Sequence, residues 1–139
     1  MAITTAVCTS FKNELAQGVH NFTTDSFKLA LYTNNANLDE STTQYTASGE
    51  VVGQGYVSGG KAVNNLSVSI SGSTILMDFD DIVWTNASFT TRGALLFNTS
   101  KSNKAVAVWN FGSDKSAAGT DFTIIVPSAT VGSAILRIA

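Results

Sequence analysis

The chain reads as a mainly β domain, a β-sandwich or jelly-roll-like fold with one N-terminal amphipathic helix. Three observations predict it. From residue 27 onward, apolar residues recur at every second position in segment after segment, the period of a half-buried strand. Only the first twenty residues repeat at a spacing of four. Polarity comes mostly from small neutral side chains: 16 Ser, 17 Thr and 11 Asn outnumber 8 Lys plus Arg and 10 Asp plus Glu. Such residues favour turns and strand surfaces and form helices poorly.

The elements follow in order. Val7, Phe11, Leu15 and Val19 form one apolar stripe, with Cys8 beside it, which predicts a helix over about residues 5–17. Thr4 or Thr5 is the expected cap, because a hydroxyl there can accept a free backbone N–H. Gly18 is the expected stop. About eight strands should follow. Phe27, Leu29 and Leu31 share one face of the first. Leu66, Val68 and Ile70 alternate with serines, and Ser71-Gly72-Ser73 reads as a hairpin break. Ile75, Met77 and Phe79 alternate next, continuing to Trp84 past a bulge at Asp80-Asp81. The apolar run 94–97 suits a central strand. Residues 104–111 carry Val106 and Val108 on one face. Phe122, Ile124 and Val126 form another strand stopped by Pro127, and residues 134–138 close the chain. Residues 33–50 and 112–121 are polar and read as loops. The first is long enough to be either functional or irregularly paired. No repeat or linker divides the chain, so residues 1–139 are expected to be one domain.

Composition narrows the function classes. A net charge of -2 argues against non-specific nucleic-acid binding. No apolar run reaches membrane-span length, and the start lacks the basic and apolar regions of a signal peptide, so a membrane partner is not expected. One cysteine leaves no intrachain disulfide.

Each candidate for chemistry meets a simpler reading. Gly55-Tyr-Val-Ser-Gly-Gly-Lys61-Ala62 matches a phosphate-binding loop, but Ala62 stands where magnesium needs a hydroxyl, and a strand follows. A glycine-rich turn where backbones approach closely explains it better. Asp78, Asp80 and Asp81 could seed a calcium site but have no ligand spacing around them. His20 has no nucleophile elbow to serve, and Cys8 sits on the buried side of the helix, where a thiol is inert. His20 is expected to cap the helix end. Four N-x-[ST] triplets, at Asn21, Asn65, Asn86 and Asn98, are what this much Ser and Thr produces by chance. Trp84, Trp109, Tyr32, Tyr45 and Tyr56 could line a sugar-binding face, although such aromatics more often anchor cores and interfaces. No cofactor and no catalytic residue is assigned, and the chain does not read as an enzyme.

Five segments carry a resemblance along the whole length: the first fifteen residues from Met1 to Leu15, Phe27-Lys-Leu-Ala-Leu-Tyr-Thr33, Gly53-Gln-Gly-Tyr56, Arg92-Gly-Ala-Leu-Leu-Phe97 and Ser102-Asn-Lys-Ala-Val-Ala-Val108. Together they resemble a family of small tailed-bacteriophage proteins, especially from aquatic phages. The resemblance implies a virion structural protein made in the bacterial host cytoplasm. Its expected role is capsid decoration or cement, clamping neighbouring major capsid subunits as a homo-oligomer, a trimer by preference. The alternative it implies is a tail, neck or fibre component with a glycan- or receptor-binding surface. The expected contact surface is Asn34, Asn35, Tyr45, Gln54 and Tyr56, with Asp114 and Lys115 as a second patch, and the tail or fibre alternative expects an exposed aromatic patch around Tyr32, Tyr45 or Tyr56.

Overall fold

The computed structural model describes residues 2–126 and 136–138. It is mainly β, with one short helix and two open antiparallel sheets. The order is β1 (Ala6–Val7), α1 (Thr9–Ala16), β2 (Phe27–Tyr32), β3 (Lys61–Ala62), β4 (Ser67–Ser71), β5 (Thr74–Asp78), β6 (Ile82–Asn98), a 3-10 turn (Thr99–Lys101), β7 (Lys104–Ile124) and β8 (Leu136–Ile138). The larger sheet runs β1-β7-β6-β2-β3 and the smaller β4-β5-β8. Among the described residues, no helix is long and apolar enough to cross a membrane.

The helix starts four residues later than its stripe predicts. Ala6 and Val7 pair with Val108 and Ala107 instead, so Val7 belongs to a strand. The Thr5 hydroxyl accepts the Asn110 N–H at 2.9 Å, which removes it as a helix cap. Cys8 takes the N-cap position without a side-chain bond. Gly18 does turn left-handed at the helix end, and its N–H reaches Leu15 O at 3.1 Å.

β2 is buried on both faces, which accounts for its run of apolar residues. Phe27, Leu29 and Leu31 share one face, where Phe22 meets Phe11 edge-on at 5.8 Å and Phe27 at a tilt at 4.7 Å between ring centres. The opposite face carries Ala30 and Tyr32 and is covered by residues 33–50, whose Tyr45 ring stacks on Phe97 at 4.8 Å. This segment is the irregularly paired one: Leu38 bridges Ile3, Gln44 bridges Lys104, and Glu50 bridges Tyr32. Residues 94–97 form the predicted central strand, flanked by β2 and β7.

Three expectations change. Asp80-Asp81 is not a bulge within one strand. β5 ends at Asp78 in the small sheet, and β6 begins at Ile82 in the large one. The loop expected at 112–121 is the outer half of β7, paired with β6. An open-edge strand with polar, exposed side chains lacks the apolar anchors by which a strand is recognised in sequence. A true irregularity lies at its start, where residues 111–114 sit opposite Arg92 alone. The hairpin at Gly72-Ser73 forms as expected, joining Ser71 to Thr74, but Val68 and Ile70 are exposed. Pro127 and residues 134–135 lie outside the described residues.

The core draws on both sheets: Met77 and Leu136 of the small sheet join Leu29, Leu31, Leu95, Leu96 and Phe97 of the large one. Each fully buried Leu or Phe contributes about 1.5–3 kcal/mol relative to exposure.

Candidate interaction surface: a strap pinned by Glu50

Residues 51–60 start beside β2, where the Val51 N–H donates to Leu31 O at 3.0 Å, and run as a strap along the β6 side of the long hairpin. Gln54 bridges Ser88 of β6, with Ser88 N–H donating to Gln54 O at 2.9 Å. The Gln54 side chain also donates to Asn86 O at 3.2 Å. The strap can lie this close because of its glycines. A Cβ on Gly53 would stand 2.5 Å from Ser88 O, and one on Gly60, at φ +78°, would overlap Leu29 O. The close-approach reading of the glycine motif therefore holds. Lys61 reaches Val83 O at 2.5 Å from strand β3, so no helix N-terminus is present to hold phosphate.

One carboxylate holds the strap. Glu50 is buried, and its Oε1 accepts from Tyr45 Oη at 2.6 Å and Ser58 Oγ at 3.0 Å. Its Oε2 accepts from Tyr56 Oη at 2.5 Å and from Gly59 N–H at 2.8 Å. Tyr56 Oη in turn accepts the Leu31 N–H at 2.9 Å, tying the network to β2. Burial pushes the Tyr56 phenol well above its ordinary value, and donation to Glu50 adds to the rise. Tyr45 is raised in the same order of causes. Four donors on one buried carboxylate satisfy it fully, as a buried charge requires.

The strap so held presents two valines to solvent: Val52 is 94% exposed and Val57 75%. Neither was singled out in the sequence. The signal available was an apolar residue on each side of Gly53-Gln-Gly-Tyr56, in a segment with no alternation to bury them.

The predicted contact residues divide into three. Tyr45 and Tyr56 are half-buried and belong to the Glu50 network rather than to an exposed patch. Gln54, Asn34 and Asn35 are exposed. The latter two lie in the turn after β2, next to Gly49, whose carbonyl accepts the Thr33 N–H. Asp114 and Lys115 are exposed on β7, across β6 from the strap, and Asp114 lies 3.5 Å from Arg92. Tyr32 and Trp84 are buried and cannot line a sugar-binding face.

The other candidates for chemistry are engaged elsewhere. His20 does not cap the helix. It is buried, with Nε2 2.9 Å from Glu14 Oε1 and Nδ1 2.9 Å from Asn98 Nδ2. Asn98 Nδ2 also donates to Asp25 Oδ2 at 2.8 Å; a carboxylate there fixes the amide's orientation and makes His20 Nδ1 an acceptor. Burial alone would raise the Asp25 carboxyl, but hydrogen bonds from Asn98, Asn21 N–H and Lys101 outweigh it and hold the group at about 2. Cys8 is buried, and desolvation lifts its thiol to about 11, which leaves it unreactive. Asp80 accepts from Asn65 and Asp81 from the Val126 N–H, so these carboxylates do not converge. Among the described residues no group of His, Cys, Asp and Glu has metal-site geometry.

Comparison with family models, with curated proteins and with solved structures finds no match for the chain.

Proposed function

We propose that this chain is a structural protein of a tailed-bacteriophage virion, a capsid decoration or cement protein that clamps neighbouring major capsid subunits. It is made in the bacterial host cytoplasm and acts in the virion as a homo-oligomer. The observation that carries a binding role is the strap. Two valines stand in solvent on a backbone held by a buried carboxylate and by a bridge to β6. Exposed apolar side chains on a rigid support are what an interface needs, because little order remains to be lost on docking. The five-segment resemblance supplies the virion, and the low charge fits repeated packing against neighbours, where few ions must be desolvated. Many weak straps on one shell act together, so modest single contacts resist internal pressure.

The test is co-sedimentation of the purified protein with shells of its phage lacking it. The wild-type chain should saturate the shells. A Val52→Asp/Val57→Asp double variant should melt as the wild type does and fail to bind. Equal binding by the variant removes the strap as the docking surface, and no binding by either removes the capsid reading.

A further inference from the structure

A β-sheet edge exposes a row of unpaired N–H and C=O groups, and proteins protect such edges with short strands, charges or bulges. In the described residues, four of the five free edges carry such protection. β1 and β3 have two residues each, and β3 includes Lys61. β8 has three. Beyond Asn110, the outer edge of β7 carries Asp114, Lys115 and Asp121 and is interrupted by the irregularity at 111–114 and by left-handed Gly119. β4 has no protection. It is five residues long, Ser-Val-Ser-Ile-Ser, pairs regularly with β5, and has no bulge or proline. Residues 65–77 contain no charge at all. Its two apolar side chains are exposed, Val68 at 42% and Ile70 at 75%.

We propose that the outer edge of β4 pairs antiparallel with β4 of a second copy of this chain, about a two-fold axis at Ser69. The register follows from the hairpin. A two-residue turn makes Ser71 and Thr74 a hydrogen-bonded pair, so Ser71, Ser69 and Ser67 direct their backbone groups to β5. The N–H and C=O groups of Val68 and Ile70 therefore point outward. Centred on Ser69, the pairing sets Val68 against Ile70 of the partner subunit, on one face, with both backbone hydrogen bonds exchanged. It repeats on the other side of the axis, and the serines line the opposite face. The strand is thus complementary to itself in side chains and in hydrogen bonds, and its neutrality leaves no like-charge repulsion at the axis. Centred on Ile70 the pairing would set Val68 against Gly72, which has no side chain, and centred on Val68 it would set Ile70 against Leu66, which lies outside the strand. A second copy is the occupant that this pattern selects, and the contact is isologous, giving two-fold symmetry rather than the threefold the resemblance implies.

The strand pair is small. Five residues extend about 17 Å, which by itself falls short of the ~1,200 Å² of stable interfaces. The dimer is therefore weak in dilute solution and strong only where copies are held close together. This inference stands on the edge alone and is independent of the virion reading.

The experiment combines sedimentation equilibrium over a wide concentration range with single-cysteine cross-linking in a Cys8→Ser background. Wild-type protein should show a monomer–dimer equilibrium. Ile70→Lys, at a solvent-facing position, should keep the wild-type melting temperature and weaken the dimer by about tenfold or more, since each lysine replaces the apolar partner of Val68 and the two like charges lie diagonally across the axis. Ser69→Cys sits at a non-hydrogen-bonded self-pair, where Cα atoms are about 4.5 Å apart, and should form a disulfide dimer under mild oxidation. Ser67→Cys alone should not, whereas mixing it with Ser71→Cys should. A chain that stays monomeric to its solubility limit, oligomers indifferent to Ile70→Lys, or cross-linking of Ser67→Cys as fast as Ser69→Cys would each overturn the proposal.

Discussion

The two halves of the β6–β7 hairpin are continuous in sequence and opposite in character. In the inner half, residues 93–98 pair with 104–110 and are flanked on both sides, by β2 and by the N-terminal segment. Layers of chain cover both faces, and every residue from Gly93 to Asn98 is buried. In the outer half, residues 82–91 keep one buried face, with Trp84, Phe89 and Phe122 in edge-on or tilted contact at 5.3–6.2 Å. The strap covers the β6 side, and the β7 side stays exposed. The inner half is a core in the ordinary sense, while the outer half is an arm against which the strap lies. Stability and surface presentation are thus assigned to different stretches of the same two strands.

Truncations should expose that division. Leu96→Ala in the inner half should cost about 3 kcal/mol, the usual penalty for emptying a fully enclosed site. Ile124→Ala in the outer half should cost about 1 kcal/mol, because its side chain is already half in solvent. Equal losses in chemical denaturation would contradict the division.

The Glu50 network couples the strap to β2, and its removal should be felt next. Glu50→Ala leaves the Tyr45 and Tyr56 hydroxyls and the Gly59 N–H without their acceptor, at about 2–3 kcal/mol. It should also make the strap the first site of limited proteolysis. Glu50→Gln keeps one acceptor oxygen and should lose less. If both variants melt with the wild type and the strap resists protease, the pin is not what holds it.

Two pH windows sharpen the picture. The phenols of Tyr45 and Tyr56 are raised in the folded state, so their contribution is complete below about pH 10 and is lost as pH rises beyond it. Tyr56→Phe should flatten that alkaline decline. Asp25 is depressed from 3.8 to about 2, so its contribution is complete above about pH 4 and lost as pH falls toward 2. Asp25→Asn should flatten the acid side alone. Smallest of all, Lys115→Ala on the exposed β7 edge should shift stability by less than about 0.5 kcal/mol.

Much of the fold was legible where local pattern and tertiary environment agree. The hairpin at Gly72-Ser73, the buried run 94–97 and the close approach at Gly60 all follow from residue chemistry alone. Local pattern and structure part where a distant partner intervenes. Thr5 looks like a helix cap until Asn110 claims its hydroxyl, and His20 looks like an end-cap until Glu14 and Asn98 enclose it. The outer half of β7 looks like a loop because its exposed edge has no apolar rhythm to display. At the site, Tyr45, Gln54 and Tyr56 stood out by type and position. Glu50 did not, since a lone carboxylate acquires its meaning only when Tyr45 and the donors of residues 56–59 converge on it. Val52 and Val57 do not stand out in the sequence because a solitary valine outside a periodic segment carries no signal of its own.

The most direct measurement of the central claim is quantitative mass spectrometry of gradient-purified phage particles, scaled to the major capsid protein. The expected copy number is comparable to that of the capsid protein or a simple fraction of it, reduced sharply in particles assembled with Val52→Asp/Val57→Asp. A few to a few dozen copies would place the chain in the tail or fibres instead, and absence from the particle would contradict a virion role altogether.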